Sequence, residues 1–333
     1  MGMSATRSLA ALAAAAALVV TACDGAPADA SSAAEGVWPT GAVDMLVGYA
    51  AGGSSDLISR AVAKGLAADL DQPFRVTNRQ GGNGAAAAAD LAGAPADGTM
   101  LSIQNASLYT ITPLAVAPDE ARHIGDVDVV HGISSENYVL VTSPETGLRT
   151  IADLQAAHRP LRYGTTGVGT GAQLCGALLM KGAGVLSEAV PFSSGAPNLA
   201  AVLANDVDIA VIHVGEAIEN IDSGKLVALN VFSPERIDFL PDVPTARELG
   251  YDVVVSQYRF MTVPKGTPAE VTGPLVAGLK STFASAAYQR FNEQNSLTPM
   301  EIPGEQVLTQ LTDDARRYAE MVATGGIDLH DIG

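Results

Sequence analysis

The stretch VDMLVGYAAGGSSDLISRAVAKGLAADL, residues 43–70, decides the fold. Its opening, VDMLVGY, is a short apolar run with the character of a strand. From Leu57 to Leu70 apolar side chains recur every three or four positions, the mark of an amphipathic helix. Between the two stand Tyr49, Gly52, Gly53, Ser54, Ser55 and Asp56. Glycines at a strand-to-helix turn let a ligand approach the backbone closely, and the first N–H groups of a helix have no partner inside it. With two serine hydroxyls beside them, they predict a socket for an anion such as a carboxylate. Asp56 has two readings, a member of that socket or the N-cap of the helix.

The alternation continues outward. FRVTNR (74–79) and TMLSIQ (99–104) read as strands around an Ala-rich helix at 84–93. Strands at 126–134 and 138–144 lead to a helix at 150–158 with Thr150 as its cap. A second set follows, with strands at 161–166, 187–192, 207–213 and 226–232 separated by helices at 171–182, 196–206 and 215–224. The strand region 251–264 precedes helices at 269–286, 286–294 and 304–324. Strand and helix in turn predict an α/β fold of mainly parallel sheets flanked by helices. The two sets predict two lobes, 37–142 plus 260–333 and 143–259, with the helical tail packed back on the first.

In such sheets ligands bind beyond the carboxyl ends of the strands. A second turn of the same kind, YGTTGVGTGAQL (163–174), offers Thr165, Thr166, Gly169 and Thr170, so two uncharged sockets are expected to face one cleft. GVGTGA also fits a dinucleotide fingerprint, but GTT intervenes between strand and first glycine, and no cofactor is expected. Ser107 and Tyr109 follow the strand at 99–104 and are expected on the cleft rim; His213 ends the strand at 207–213 and is expected to reach the cleft from the other side. Arg259 either pairs with a ligand carboxylate or stands exposed on a strand between the lobes.

Composition narrows the partners. The chain has 333 residues, 47% hydrophobic, and a formal net charge of −17. That is core enough for two modest domains, and the acidic balance argues against nucleic acid or anionic lipid, whose phosphates need clustered Lys and Arg. Residues 1–23 carry Arg7, an apolar run from Leu9 to Val20 and the ending VVTAC, an export signal too short to span a membrane. The ending resembles a bacterial lipobox, which makes Cys23 the lipidated first residue of the mature protein; an ordinary secretory signal is the alternative. Residues 24–36, small and polar, read as a tether. Cys175 is read as a core residue, and no metal-ligand cluster is found.

VGYAAGGSSD, DQPFRVTNRQGG, APADGTML, LRYGTTGVGTGAQL, AVPFSSGAPNLAAVLANDVDIAV and SGKLVALNVFSPERIDFLPDVPTARELGYDV, then VPKGTP, occur in the order found in the substrate-binding proteins of tripartite tricarboxylate transporters, the Bug family. The chain resembles that family from about Val43 to its C-terminus. The resemblance implies a two-lobed periplasmic-binding-protein-like fold that closes on a small organic carboxylate without catalysis. It implies delivery to large and small integral membrane subunits, and a monomer anchored by lipid to the outer face of the cytoplasmic membrane. It also places both glycine-rich turns where the family grips carboxylate through backbone amides. The chain departs from the family pattern with Ser54 and Ser55 in the first turn, Val168 and Gln173 in the second, Phe192, Ser193 and Ser194 after VP, and Arg259 between Tyr258 and Phe260. A ligand-sensing lipoprotein is the rival reading. A secreted hydrolase is disfavoured, since G-x-S-x-G is missing around Ser54 and Ser55.

Overall fold

The computed structural model describes residues 37–330. The export signal, Cys23 and the tether at 24–36 lie outside the described residues.

The first half runs β1 (Val43–Val47), α1 (Ser54–Leu70), β2 (Phe74–Asn78), α2 (Ala85–Ala92), β3 (Met100–Asn105) and the short α3 (Ser107–Thr110). The long β4 (Val127–Thr142) leads to α4 (Ile151–Gln155), β5 (Leu161–Thr165), α5 (Gly171–Ala183), β6 (Ser187–Pro191), α6 (Gly195–Leu203), β7 (Ile209–His213), α7 (Val214–Asp222) and β8 (Val227–Val231). Then come β9 (Ser256–Pro264), α8 (Ala269–Ala284), α9 (Ala286–Gln294), β10 (Thr298–Pro299) and α10 (Gly304–Gly325). Among the described residues the strands form one sheet in the order β2-β1-β3-β9-β4-β7-β5-β6, with β8 and β10 also paired to β4.

Each end of the sheet is parallel. β1 lies parallel to β2 and β3, and β5 to β6 and β7, as strands joined by crossover helices require. The seam between the ends is antiparallel, made by β9 against β3 and β4 and by β4 against β7 and β8. β4 pairs with β9 as far as Asn137 and with β7 from Tyr138 onward, so one strand serves both halves. The sequence predicts two strands here, broken at Ser135–Asn137. Those polar residues stay in the strand because they pair with Ser256, Gln257 and Tyr258 of β9, and Glu136 finds a charged partner in the interior.

The halves have separate cores. Ile58, Val62 and Leu66, spaced four apart on one stripe of α1, pack with Met45, Leu101, Ile103 and Met261 of the sheet and with Leu275, Leu279 and Phe283 of α8. Leu174, Cys175 and Leu179 of α5 pack on Leu140, Ile209 and Val211. Cys175 is buried, which pushes its thiol pKa well up. The tail does more than return to the first half. Val307 and Leu311 of α10 join Leu108 and Phe260, while Tyr318 of the same helix joins the α5 core.

Local signals account for the element ends. Thr150 and Asp153 form a capping box at α4, the carboxylate accepting Thr150 N–H at 2.8 Å. α1 begins at Ser54, earlier than the apolar periodicity indicates, because Gly53 takes the extended N-cap conformation and admits both serines to the first turn. Asp56 is therefore inside the helix and not its cap.

Candidate functional site

The carboxyl ends of β1, β5, β6 and β7 and the helices after them converge on a cavity of about 20 Å³. The first half and β9 contribute Tyr49, Gly53, Ser54, Ser55, Asn105, Gln257 and Arg259 to its wall. Thr166, Ser194, Gly195, His213 and Glu216 supply the other side.

Strand alternation places Gln257 and Arg259 on the cavity face of β9, while Phe260 joins Leu311 on the opposite face. Arg259 is 1% exposed, so of its two sequence readings the exposed one does not hold. Its guanidinium pairs with the Glu136 carboxylate, and its Nε–H donates to Ser55 Oγ at 3.0 Å. Burial pulls its pKa down to about 10, which leaves it charged at neutral pH. Glu136 also accepts the Ser54 hydroxyl, and the Ser55 hydroxyl donates to Asn105 Oδ1 at 3.2 Å. Tyr49 bonds the Asn83 side chain, and burial pushes its phenol up to about 12, so it stays neutral.

The start of α1 does hold a carboxylate, and it is the protein's own. Ser54 N–H donates to Glu216 Oε1 at 3.1 Å, from a residue in the first turn of α7. The same carboxylate lies against Gly195, the first residue of α6, so closely that a Cβ there would collide with it. Two helix starts thus face one anion, where unpaired N–H groups and the helix dipole favour negative charge. Glu216 Oε2 stands 3.4 Å from His213 Nδ1, and the His213 ring stacks on Tyr138 with centroids 4.6 Å apart. Glu216 Oε2, both His213 ring nitrogens and Ser194 Oγ have no hydrogen-bond partner among the described residues.

The second glycine-rich turn satisfies itself. Thr170 caps α5 by accepting Gln173 N–H at 3.3 Å, and Gln173 Oε1 takes Gly169 N–H at 2.7 Å. Gly169 C=O accepts from Asn83 and Thr112, and Thr165 turns to Gly167 C=O at 3.3 Å. Only Thr166 of this turn reaches the cavity.

Several expected residues stand off the cavity wall. Asp56 folds back to accept Gly52 N–H at 3.0 Å and is held by Arg60 and Asn78. Burial pushes this carboxyl up, but those hydrogen bonds outweigh it and hold its pKa below the ordinary value. Ser107 accepts from Asn83 and Gln257, and Tyr109, expected on the rim, turns into the core and bonds Gln104. Sequence patterns point to none of Glu136, Glu216, Gly195, Asn105 and Gln257 as site residues, and to Ser194 only as a departure from the family pattern. Ser194–Gly195 and His213–Glu216 are also strand-to-helix junctions, though poorer in glycine; Glu136 leaves only one acid in a polar break between two apolar strands.

A second cavity of about 140 Å³ adjoins the first. Ser54 and Glu216 line both, and Leu57, Ile58, Leu199 and Phe291 make its apolar wall.

Comparison with known proteins bears on the family and the fold. The chain is 31% identical over 256 residues to the UPF0065 protein in the TAR-I ttuE-ttuC' intergenic region of Agrobacterium vitis, covering 75% of this chain and 73% of that protein. The fold is shared with Rpa4515 of R. palustris with adipate, at a TM-score of 0.82 and 24% identity over 87% of this chain and 99% of that one. It is shared also with MatC of Rhodopseudomonas palustris with bound malate, at 0.79 and 23% over 86% and 100%. The family model described as tripartite tricarboxylate transporter family receptor matches residues 58–327, and the chain belongs to that receptor family.

Proposed function

We propose that the protein is an extracytoplasmic receptor, lipid-anchored through Cys23, that captures a small organic carboxylate and delivers it to the membrane subunits of a tripartite tricarboxylate-type transporter. The lobes in this reading are 37–142 plus 260–333 and 143–259, and the ligand binds between them. The observation that carries the reading is the buried cavity walled from both halves of the chain, with the Arg259 guanidinium among its lining groups. Family membership supports it, as do the adipate and malate of the two R. palustris structures.

A space of about 20 Å³ admits one water-sized group, so the lobes part to take up ligand. In this reading the connections that flex are the two crossings between the lobes, near 140–145 and near 256–262. The test is thermal stability against a panel of organic acids and their amides. A ligand bound only by the folded state stabilises by about 2.7 kcal/mol at a hundredfold excess over its dissociation constant. Stabilisation by acids and not by the matching amides is expected. No response to any acid overturns the reading.

A further inference from the structure

The carboxylate-receptor reading leaves one feature unexplained, a second acid in the wall. Arg259 and Glu136 neutralise each other, whereas Glu216 has no ion-pair partner among the described residues other than His213 when protonated. Glu216 keeps one oxygen for Ser54 N–H and leaves the other without a hydrogen-bond partner among the described residues, next to a His213 ring that is 6% exposed and has neither nitrogen satisfied. A buried carboxylate oxygen in that condition is costly unless a donor, best a charged one, completes it. A dicarboxylate worsens the position, because it brings like charge against Glu216.

The surroundings say what kind of donor fits. Donors for a carboxylate line the same cavity, Arg259 on one side and Thr166 and the unpartnered Ser194 hydroxyl on the other. Glu216 lies at the junction with the second cavity, mainly apolar although the Arg259-paired Glu136 and Asn295 also line it, whose volume of about 140 Å³ matches a benzene-sized group. Carboxylate donors, an unpaired acid and an apolar recess thus meet within one small site.

Resting on that reading, we propose that the ligand is an amino acid with an apolar side chain. Glu216, beside His213, receives its ammonium; Arg259, Thr166 and Ser194 receive its carboxylate; and its side chain enters the recess over Leu57, Leu199 and Phe291. Glu216 is then the residue that discriminates amino acids from simple acids.

The experiment is titration calorimetry of the protein with L-leucine and L-phenylalanine, their des-amino acids 4-methylpentanoate and 3-phenylpropanoate, and malate. One of the two amino acids is expected to bind, and removal of its nitrogen to weaken binding about 100-fold or more, since the lost group is one partner of a buried charge pair. Glu216→Gln is expected to weaken the amino acid by a similar factor and to narrow the gap to its des-amino analogue. Equal or tighter binding of the des-amino acid, or binding of malate with both amino acids silent, overturns this proposal and leaves the carboxylate receptor standing. Silence of every carboxylate overturns both. Should Glu216→Gln fail to fold, the comparison of amino acid with des-amino acid on the unaltered protein decides alone.

Discussion

The two glycine-rich turns look alike on paper and behave differently in the fold. Tyr49–Asp56 opens α1 with no side-chain cap on Gly53, and its first-turn amide is met by Glu216, 162 residues away. Tyr163–Leu174 opens α5 with Thr170 as cap and turns Gln173 back on Gly169, so its donors are consumed within a few residues. Apart from Thr166, which reaches the cavity, the second turn is scaffold. The first turn thus brings backbone donors held by distant side chains to the cavity, whereas the second brings only the Thr166 side chain.

The largest expected break in the comparison lies at the charge pair behind the first turn. Arg259→Ala strands the Glu136 carboxylate, which is 3% exposed as a residue, and is expected to cost about 3–5 kcal/mol in urea unfolding. Replacing both members by methionine is expected to recover most of that loss, because neither charge is then left buried alone. A small effect of the single change would mean that water reaches Glu136, and the first turn would then be no more enclosed than the second. For the same reason Arg259→Ala is a poor probe of ligand binding unless paired with a change at Glu136.

Asp56 gives the next effect and a pH signature. Its pKa is held below the unfolded value, so its stabilisation is fully present above about pH 4, the unfolded range, and is lost as pH falls through the lower folded value. Asp56→Ala is expected to cost about 1.5–3 kcal/mol near neutrality and little at the acid end, where the parent carboxyl is also protonated. A pH-independent loss would show that Asp56 acts by packing alone.

Thr170→Ala in the second turn is expected to cost about 1 kcal/mol, the ordinary worth of a helix cap, with ligand affinity unchanged. A change in affinity would extend that turn's part in the site beyond Thr166. Gly195→Ala sharpens the contrast at little cost in stability, since the new Cβ displaces the movable end of Glu216. It is expected to alter ligand preference in the direction of Glu216→Gln, read by the same titrations.

Much of the architecture was legible from residues 43–70 outward. Apolar periodicity and strand-to-helix glycines report local conformation, and local conformation repeated in order is what defines an α/β fold. That is why β1, α5 and β7 fall close to where the sequence puts them and α1 differs only in its earlier start, and why 49–56 and 163–174 could be recognised as strand-to-helix turns. The break expected inside β4 failed for a related reason. Ser135–Asn137 are polar because β4 crosses the interior at its seam with β9, a tertiary circumstance no local pattern reports. Tertiary structure alone decided what the donors meet. Glu136, Glu216, Ser194 and Arg259 come from four separate elements, and their charges acquire meaning only at the distances folding sets between them, since burial and electrostatic pairing depend on proximity in space and not along the chain.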